Sequence, residues 1–285
     1  MTRREDDMPW TTIITPRRGW LDIGLGALWE YRDLVLLLVR RDFVSRYKQT
    51  ILGPVWFVLQ PLLMTVVFTV VFGKMAGLST DGVPGPLFYF AGVVCWRYFA
   101  ACLTKTSDTF VANAAIFGKV YFPRLAVPVS VVLSNLFTFA LQFAFFLVLH
   151  AFYASGEVSA RPGAAVAVVP FLVAIMAALG LGGGILVSSL TTRYRDLRFL
   201  IGFGVQLLMY LTPIIYPLSS VPEDYRLLVL ANPMTEVVEA FRYVFLGQGA
   251  FTWARLAYSA GASALVLVCG LALFSRVEKT FMDTV

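Results

Sequence analysis

Apolar residues gather in six long runs along this chain: Pro54–Gly73, Leu87–Leu103, Leu125–His150, Gly163–Leu190, Phe199–Pro217 and Leu256–Ser275. Crossing roughly 30 Å of hydrocarbon takes about 20 helical residues. Inside a bilayer the backbone has to satisfy its own hydrogen bonds, so each run predicts a helix rather than a strand. Two further segments have helical periodicity without the length to cross. Leu28–Thr50 interleaves Leu28, Tyr31, Leu34, Val35, Leu38, Phe43 and Tyr47 with charged residues, and its longest apolar stretch is only Leu34–Val39. A helix of this kind lies in the membrane interface, with its arginines reaching toward headgroups. Between the last two runs, Ser220-Val221-Pro222-Glu223 has the form of a capping box opening a short helix. Asn232-Pro233 breaks that helix. A second follows, with Val237, Phe241, Val244 and Phe245 on one face and Gly247 as its stop. The pattern predicts an all-α integral membrane protein with an interfacial helix (28–50), six transmembrane helices, and a short helical hairpin on the outer side between spans five and six. These form one domain, 28–285, behind a cytoplasmic N-terminal extension, 1–27.

Composition agrees. Of 285 residues, 59% are hydrophobic and 14% charged, against about 25% charged in soluble domains, so the apolar excess is expected to face lipid. The formal charge of +6 comes from basic residues placed between apolar runs. That placement suits anionic headgroups and membrane topology, and speaks against nucleic acid. Loops of one side hold seventeen: Arg3, Arg4, Arg17, Arg18, Arg32, Arg40, Arg41, Arg46, Lys48, Lys105, Lys119, Arg124, Arg193, Arg195, Arg198, Arg276 and Lys279. The other side holds five: Lys74, Arg161, Arg226, Arg242 and Arg255. Cytoplasmic loops carry the excess of Lys and Arg, so both termini are expected in the cytoplasm. Residues 1–20 have arginines but no apolar core, so no cleavable signal peptide is expected. Cys95, Cys102 and Cys269 lie in apolar runs without a C-x-x-C spacing and read as small hydrophobes. His150 ends an apolar run, and neither a metal site nor a Ser–His pair is expected around it.

The six runs contain no Asp or Glu. Ion-coupled carriers place acids near the midplane to bind the coupling ion, and none is offered here. A phosphate-cradling G-x-x-x-x-G-K-[ST] loop is also missing; Gly180-Leu181-Gly182-Gly183-Gly184 lies within a run and reads as a close-packing seam. Uphill transport therefore needs energy from another chain. Arg97, in Trp96-Arg97-Tyr98-Phe99, is the one charge set deep in a run. An arginine there costs about 3 kcal/mol or more on insertion scales. Either it faces a path as a contact for phosphate or sugar, or its span begins later and the side chain reaches the outer interface. Tyr89, Phe90, Trp96, Tyr98, Phe99, Tyr210 and Tyr216 either stack on sugar rings or serve as core and interface anchors.

Several motifs then stand in order. Arg41-Asp42-Phe43-Val44-Ser45-Arg46-Tyr47-Lys48 is followed by Leu52-Gly53-Pro54-Val55-Trp56 and by Gln60-Pro61. Asn113-Ala114 leads to Lys119-Val120-Tyr121-Phe122-Pro123-Arg124; Arg195-Asp196-Leu197 follows the fourth run; Thr212-Pro213-Ile214 and Asn232-Pro233 mark the fifth run and the hairpin. Together these resemble the membrane subunits of ATP-binding-cassette polysaccharide and polyol-phosphate exporters, over about Leu28 to Lys279. One departure is Cys95, where relatives often carry proline before the tryptophan.

The resemblance implies a non-catalytic permease subunit in a bacterial inner membrane. It would be a homodimer with two cytoplasmic ATPase subunits, which would bind ATP and magnesium; this chain would hold no cofactor or metal. The cargo would be a polysaccharide (O antigen, capsule or teichoic acid) linked to a polyprenyl pyrophosphate. Asn113, Phe117, Lys119, Tyr121, Phe122, Pro123, Arg124, Arg195 and Asp196 would couple to the ATPase. Arg40, Arg41, Arg46 and Lys48 would dock the lipid pyrophosphate, or else attract anionic lipid generally. Trp96, Arg97, Tyr98, Phe99, Tyr210 and Tyr216 would line a glycan path. Alternatives are an exporter of a small hydrophobic compound, a membrane glycosyl- or acyltransferase, or a secondary carrier. The acid-free spans oppose the last, and Asp42 and Asp196, each beside arginine, are poor catalytic acids.

Overall fold

The computed structural model describes residues 25–48, 53–117, 122–154, 164–191 and 197–280. These fold into helices, without a strand among them: α1 (Leu25–Glu30), α2 (Arg32–Tyr47), α3 (Trp56–Phe68), α4 (Gly85–Ser107), α5 (Thr109–Phe117), α6 (Ala126–Ala154), α7 (Val169–Thr191), α8 (Leu197–Leu211), α9 (Glu223–Ala231), α10 (Pro233–Leu246) and α11 (Trp253–Thr280). Among the described residues, five segments are long and apolar enough to cross a membrane: Trp56–Met75, Gly85–Ser107, Ala126–Tyr153, Val166–Thr191 and Trp253–Arg276. The interfacial helix expected at 28–50 begins earlier and is interrupted at Tyr31, giving α1 and α2. Val35 and Leu38 of α2 are buried in a cluster with Phe110, Phe117, Phe122, Ile185 and Phe274, while Leu36 and Leu37 are each 61% exposed. This short helix is therefore apolar both toward the bundle and away from it. Water does not suit the outer leucines; a bilayer does.

The fifth apolar run does not stay helical to Pro217. Its helix, α8, stops at Leu211, and the apolar part Phe199–Leu211 is only about 20 Å long at 1.5 Å per residue. Pro213 explains the stop, since it has no N–H for the carbonyl four residues back and its ring crowds that carbonyl. Beyond the helix end, side chains hold the turn. Thr212 Oγ1 donates to Leu208 O (2.7 Å), Asn232 Nδ2 donates to Thr212 Oγ1 (2.8 Å), and Arg242 donates to Pro213 O (2.6 Å) and Ile214 O (2.9 Å).

α9 and α10 form, broken at Asn232 as expected, with one correction. No capping box forms at Ser220: α9 opens at Glu223 with Pro222 as its flanking residue and no side-chain cap. Pro222, with φ −56°, is itself preorganised for the helix start, so the first turn falls three residues beyond the serine's reach. α10 is capped as expected. Asn232 Oδ1 accepts from Met234 N, Pro233 begins the helix, and Gly247 ends it at φ 67°. Val237, Phe241 and Phe245 are buried against Phe143 and Phe146 of α6.

The other face of α10 carries charge into the interior. Arg242, placed on an outer loop by its position in the sequence, is 2% exposed. Its guanidinium also reaches Glu239 Oε1 at 3.3 Å and lies 3.6 Å over the Phe88 ring of α4. Glu239 Oε2 accepts from Ala250 N (2.9 Å), Glu236 Oε1 accepts from Thr252 N (2.8 Å), and Arg255 of α11 sits 3.2 Å from Glu236 Oε2. Burial pushes the Glu236 carboxyl upward, against the opposing pull of the Thr252 N–H and Arg255. One turn-spaced triad, Glu236, Glu239 and Arg242, thus ties the end of α8, the 250–252 loop and the start of α11 to α10.

The centre of the bundle is α7. Gly180 and Gly184, one turn apart, face α4, where an added Cβ would lie 2.7 Å from Cys102 Cβ and 2.5 Å from Thr106 Cβ. Gly182 faces α11, where a Cβ would meet Leu267 Cα at 2.5 Å and where Gly270 matches it from the other side. Without a hydrophobic drive between helices in lipid, such backbone approach supplies the packing. Cys95 and Cys102 are buried as expected, but Cys269 is exposed on α11.

Two outcomes follow. Gly182→Val or Gly184→Val is expected to destabilise the folded chain by about 3 kcal/mol, the upper range for overpacking, whereas Gly261→Ala, with open space around it, leaves thermal unfolding in detergent unchanged. Glu239→Gln is expected to cost about 3 kcal/mol by stranding a buried guanidinium; Glu239→Gln with Arg242→Met recovers part of that loss in the same melting assay.

Candidate functional site

A polar cavity of about 250 Å³ opens between α3, α4 and α6, lined by Phe57, Gln60, Arg97, Tyr98, Ala101, Lys105, Asn135, Thr138, Phe139 and Gln142. Helical spacing assembles it. Arg97, Ala101 and Lys105 are successive turns of one α4 face, and Asn135, Thr138 and Gln142 lie along one face of α6. Arg97 is at mid-helix, ten residues from one end of α4 and twelve from the other, roughly 15 Å from either end. Its Nη2 donates across the bundle to Gln60 Oε1 at 3.0 Å. Lys105, assigned by sequence to a cytoplasmic loop, belongs instead to the last turn of α4, and its Nζ donates to Asn135 Oδ1 at 2.8 Å.

Pro61 explains why the wall of the cavity is polar. Inside α3 it leaves the Phe57 carbonyl without its helical donor. Gln142 Nε2 of α6 supplies that donor at 2.8 Å, so the Gln60-Pro61 pair serves two contacts at once, one holding Arg97 and one holding Gln142. Beside the cavity, sharing Phe57 and Thr138, runs a second cleft of about 270 Å³ beneath the interfacial helix, lined by Leu36, Val39, Arg40, Phe43, Phe57, Ser134, Phe137 and Thr138. Phe43 stands edge-on to Phe137 with ring centres 4.9 Å apart, joining α2 to α6 across this cleft.

The structure divides the residues singled out by sequence. Of the docking set, Arg40 lines the cleft, Arg41 and Lys48 are exposed, and Arg46 is in the last turn of α2. Arg41 pairs with Asp42 at 3.1 Å, as their adjacency suggested. Of the path set, Arg97 and Tyr98 line the cavity, with Tyr98 packed on Phe139 at 5.3 Å. Trp96 and Phe99 do not line it; they are buried in the protein's own core, 5.2 Å apart. Tyr210 is exposed on α8, and Tyr216 donates to its carbonyl at 3.0 Å.

Within the coupling set, Asn113 turns back to Thr109 O at 2.9 Å. Phe117 and Phe122 are spent internally, 5.6 Å apart, and Arg124 is buried with its guanidinium 5.7 Å from the Phe117 ring. The packing these two rings were expected to offer a partner is taken by the chain itself, because the turn from α5 into α6 has to be anchored in the second core cluster. Pro123 is half-buried in that turn. Lys119, Tyr121, Arg195 and Asp196 lie outside the described residues. Sequence reasoning missed Asn135 and Gln142, although two amides seven residues apart in an otherwise apolar run form a polar stripe that helical spacing reveals.

Residues 33–246 match the family model described as ABC-2 type transporter. The O-antigen export system permease protein RfbA of Myxococcus xanthus is 27% identical over 261 residues, covering 90% of this chain and 97% of that protein. A Klebsiella pneumoniae protein of the same name is 26% identical over 253 residues, 88% of this chain and 94% of its own length. The polysialic acid transport protein KpsM of Escherichia coli is 22% identical over 247 residues, 87% and 94% of the two chains. With three quarters of its length under the family model, and with its spans and interfacial helix arranged around one polar cavity, the chain belongs to the ABC-2 type transporter membrane family.

Proposed function

We propose that this chain is the transmembrane subunit of an ATP-driven exporter carrying polysaccharide linked to a polyprenyl pyrophosphate across a bacterial inner membrane. The observation that carries the reading is the end-to-end likeness to proteins named for O-antigen export. The chain is non-catalytic, and hydrolysis of magnesium-bound ATP belongs to a partner subunit present in two copies. Six crossings follow if α8 counts as a short fifth span completed by the α9–α10 hairpin on the outer side; both termini are then cytoplasmic. Exposed apolar residues such as Leu63, Val66 and Val67 on α3, and Phe199, Phe203 and Leu207 on α8, support a second copy or lipid against these helices. Two copies around a two-fold axis enclose a path that six helices do not.

In this arrangement the α4–α6 connection and the loop before α8 rest on the ATPase. Asn113, Lys119, Tyr121, Arg195 and Asp196 meet it, and the buried Phe117, Phe122 and Arg124, with the half-buried Pro123, make the connection stiff enough to pass on a rigid-body movement. Phe110 N donates to Ser188 Oγ of α7 at 3.3 Å, which supports transmission from this connection to the bundle centre. Arg40, Arg41, Arg46 and Lys48 receive the carrier's pyrophosphate through charge-assisted contacts at the cytoplasmic surface.

Purification with the partner ATPase and addition of lipid-linked glycans is the direct test: one class of glycan is expected to raise hydrolysis severalfold, and stimulation by small hydrophobic compounds alone would replace the polysaccharide reading. Arg41→Gln with Arg46→Gln is expected to lower export about tenfold, the worth of one charge-assisted contact, with the assembled complex intact by size-exclusion chromatography. Unaltered export in that variant removes the docking role.

A further inference from the structure

The two buried carboxylates of α10 are not alike. Glu239 is met at both oxygens: Arg242 Nη1 donates to its Oε1 at 3.3 Å and Ala250 N to its Oε2 at 2.9 Å. Glu236, one turn earlier and 3% exposed, is met at one. Its Oε1 accepts from Thr252 N at 2.8 Å. Its Oε2 lies 3.2 Å from Arg255 Nε yet accepts no hydrogen bond among the described residues, because that N–H is turned to Thr252 Oγ1 at 2.9 Å. Charge alone holds this pair, and its arginine is partly open to the surroundings on α11. A buried carboxylate oxygen without a donor is costly while ionised. A proton placed on Oε2 removes that charge, and Oε1 keeps the Thr252 N–H.

The surroundings favour that proton. Burial raises the Glu236 carboxyl above its ordinary range, the Thr252 N–H and Arg255 pull it down, and the negative charge of Glu239 pushes it up again. Arg242 is committed to Glu239 and to the Pro213 and Ile214 carbonyls. Other titratable groups around α10 address different atoms. Asp81, from the loop before α4, and Tyr89 and Cys95 of α4 lie toward Arg242. Tyr258 of α11 donates to Ala231 O, and His150 of α6 meets Phe245 O, nine residues further along α10. Glu223, Asp224, Tyr225 and Arg226 of α9 are exposed, and α7 brings no titratable residue. We propose that Glu236 is a proton-binding switch: it takes up a proton as the outer side turns mildly acidic, and the loss of its charge frees Arg255 and the first turn of α11 from α10. Because the fold holds the neutral acid better than the ion, Glu236 contributes stability that is present at low pH and lost as the pH rises through its raised folded value. Acid thus strengthens the hairpin core while loosening one contact, the Arg255 pair. The inference rests on the export reading only for which side of the membrane supplies the proton; the switch itself stands on the Glu236 site.

The test uses the full chain in nanodiscs, titrated from about pH 8 to about pH 5. Infrared difference spectra are expected to show a protonated-carboxyl band that grows toward acid and is missing in Glu236→Gln, which carries a neutral group at every pH. Glu223→Gln, on the exposed start of α9, is expected to keep the band. In melting, the parent is expected to fall a few degrees below Glu236→Gln at the alkaline end and to meet it at the acid end. A spin label at the exposed Ala254→Cys, in a Cys269→Ala background, reads the first turn of α11. Its mobility is expected to rise toward acid in the parent and to stay high at every pH in Glu236→Gln. Should Glu236→Gln fail to fold, Arg255→Gln serves: without its counter-charge, the band is expected to appear about one pH unit nearer neutrality. A band that survives Glu236→Gln or does not move in Arg255→Gln overturns the proposal. So does a label response that persists in Glu236→Gln and disappears in His150→Gln. Glycan-stimulated ATPase activity without the Glu236 band sinks this switch and leaves the export reading standing; the band without stimulation does the reverse.

Discussion

In a hydrocarbon slab there is no water to repair a broken hydrogen bond, so each irregularity in a spanning helix has to be answered by a side chain from elsewhere in the fold. Pro61 frees the Phe57 carbonyl, and Gln142 answers from α6. Pro213 ends α8, and Arg242 answers the Pro213 and Ile214 carbonyls from α10. These answers are also the tertiary contacts: the first draws α3 onto α6, the second draws α10 onto the end of α8. The prolines are thus not defects tolerated by the bundle. They create the demand for polar contacts that place the cavity and the hairpin.

Packing at the glycine seam complements this. α7 can approach α4 and α11 at backbone distance because Gly180, Gly182 and Gly184 present no side chain. With α7 wedged between them, α4 is held deep in the bundle, and its Arg97–Lys105 face turns to the gap that α3 and α6 leave. The aromatic stack of Phe139, Phe143 and Phe146 along α6 meets Phe241 and Phe245 of α10, so the hairpin's apolar face rests on the same helix that lines the cavity. A movement of α10 and a movement of the cavity wall therefore share a helix.

Much of this was legible in the residues. Five of the six expected spans, a helix ahead of the first of them, the Asn232-Pro233 break and the glycine seam each depend on local chemistry: length of an apolar run, a cap, a missing Cβ. What was not legible depended on partners distant in sequence. Arg242 reads as a loop cation because nothing nearby announces Pro213, Ile214 and Phe88; Lys105 reads as a loop cation because the end of α4 extends beyond the hydropathy run. Trp96 and Phe99 look like a sugar platform in one dimension, and only the third dimension turns them into the core. Ser220 satisfies a capping pattern that Pro222 pre-empts by one geometric preference.

Arg242 and Arg97 show how differently two charges within the bundle are answered. Arg242 is held by a carboxylate, two carbonyls and an aromatic face, with only its Nε lacking an acceptor. Its role is completed by the fold. Arg97 is half-buried in a cavity several waters wide, with one hydrogen bond to an amide. If its role were only to brace α4 against α3, a glutamate at position 60 would do so with greater strength. Gln60 fixes the direction of the guanidinium and leaves its charge uncancelled.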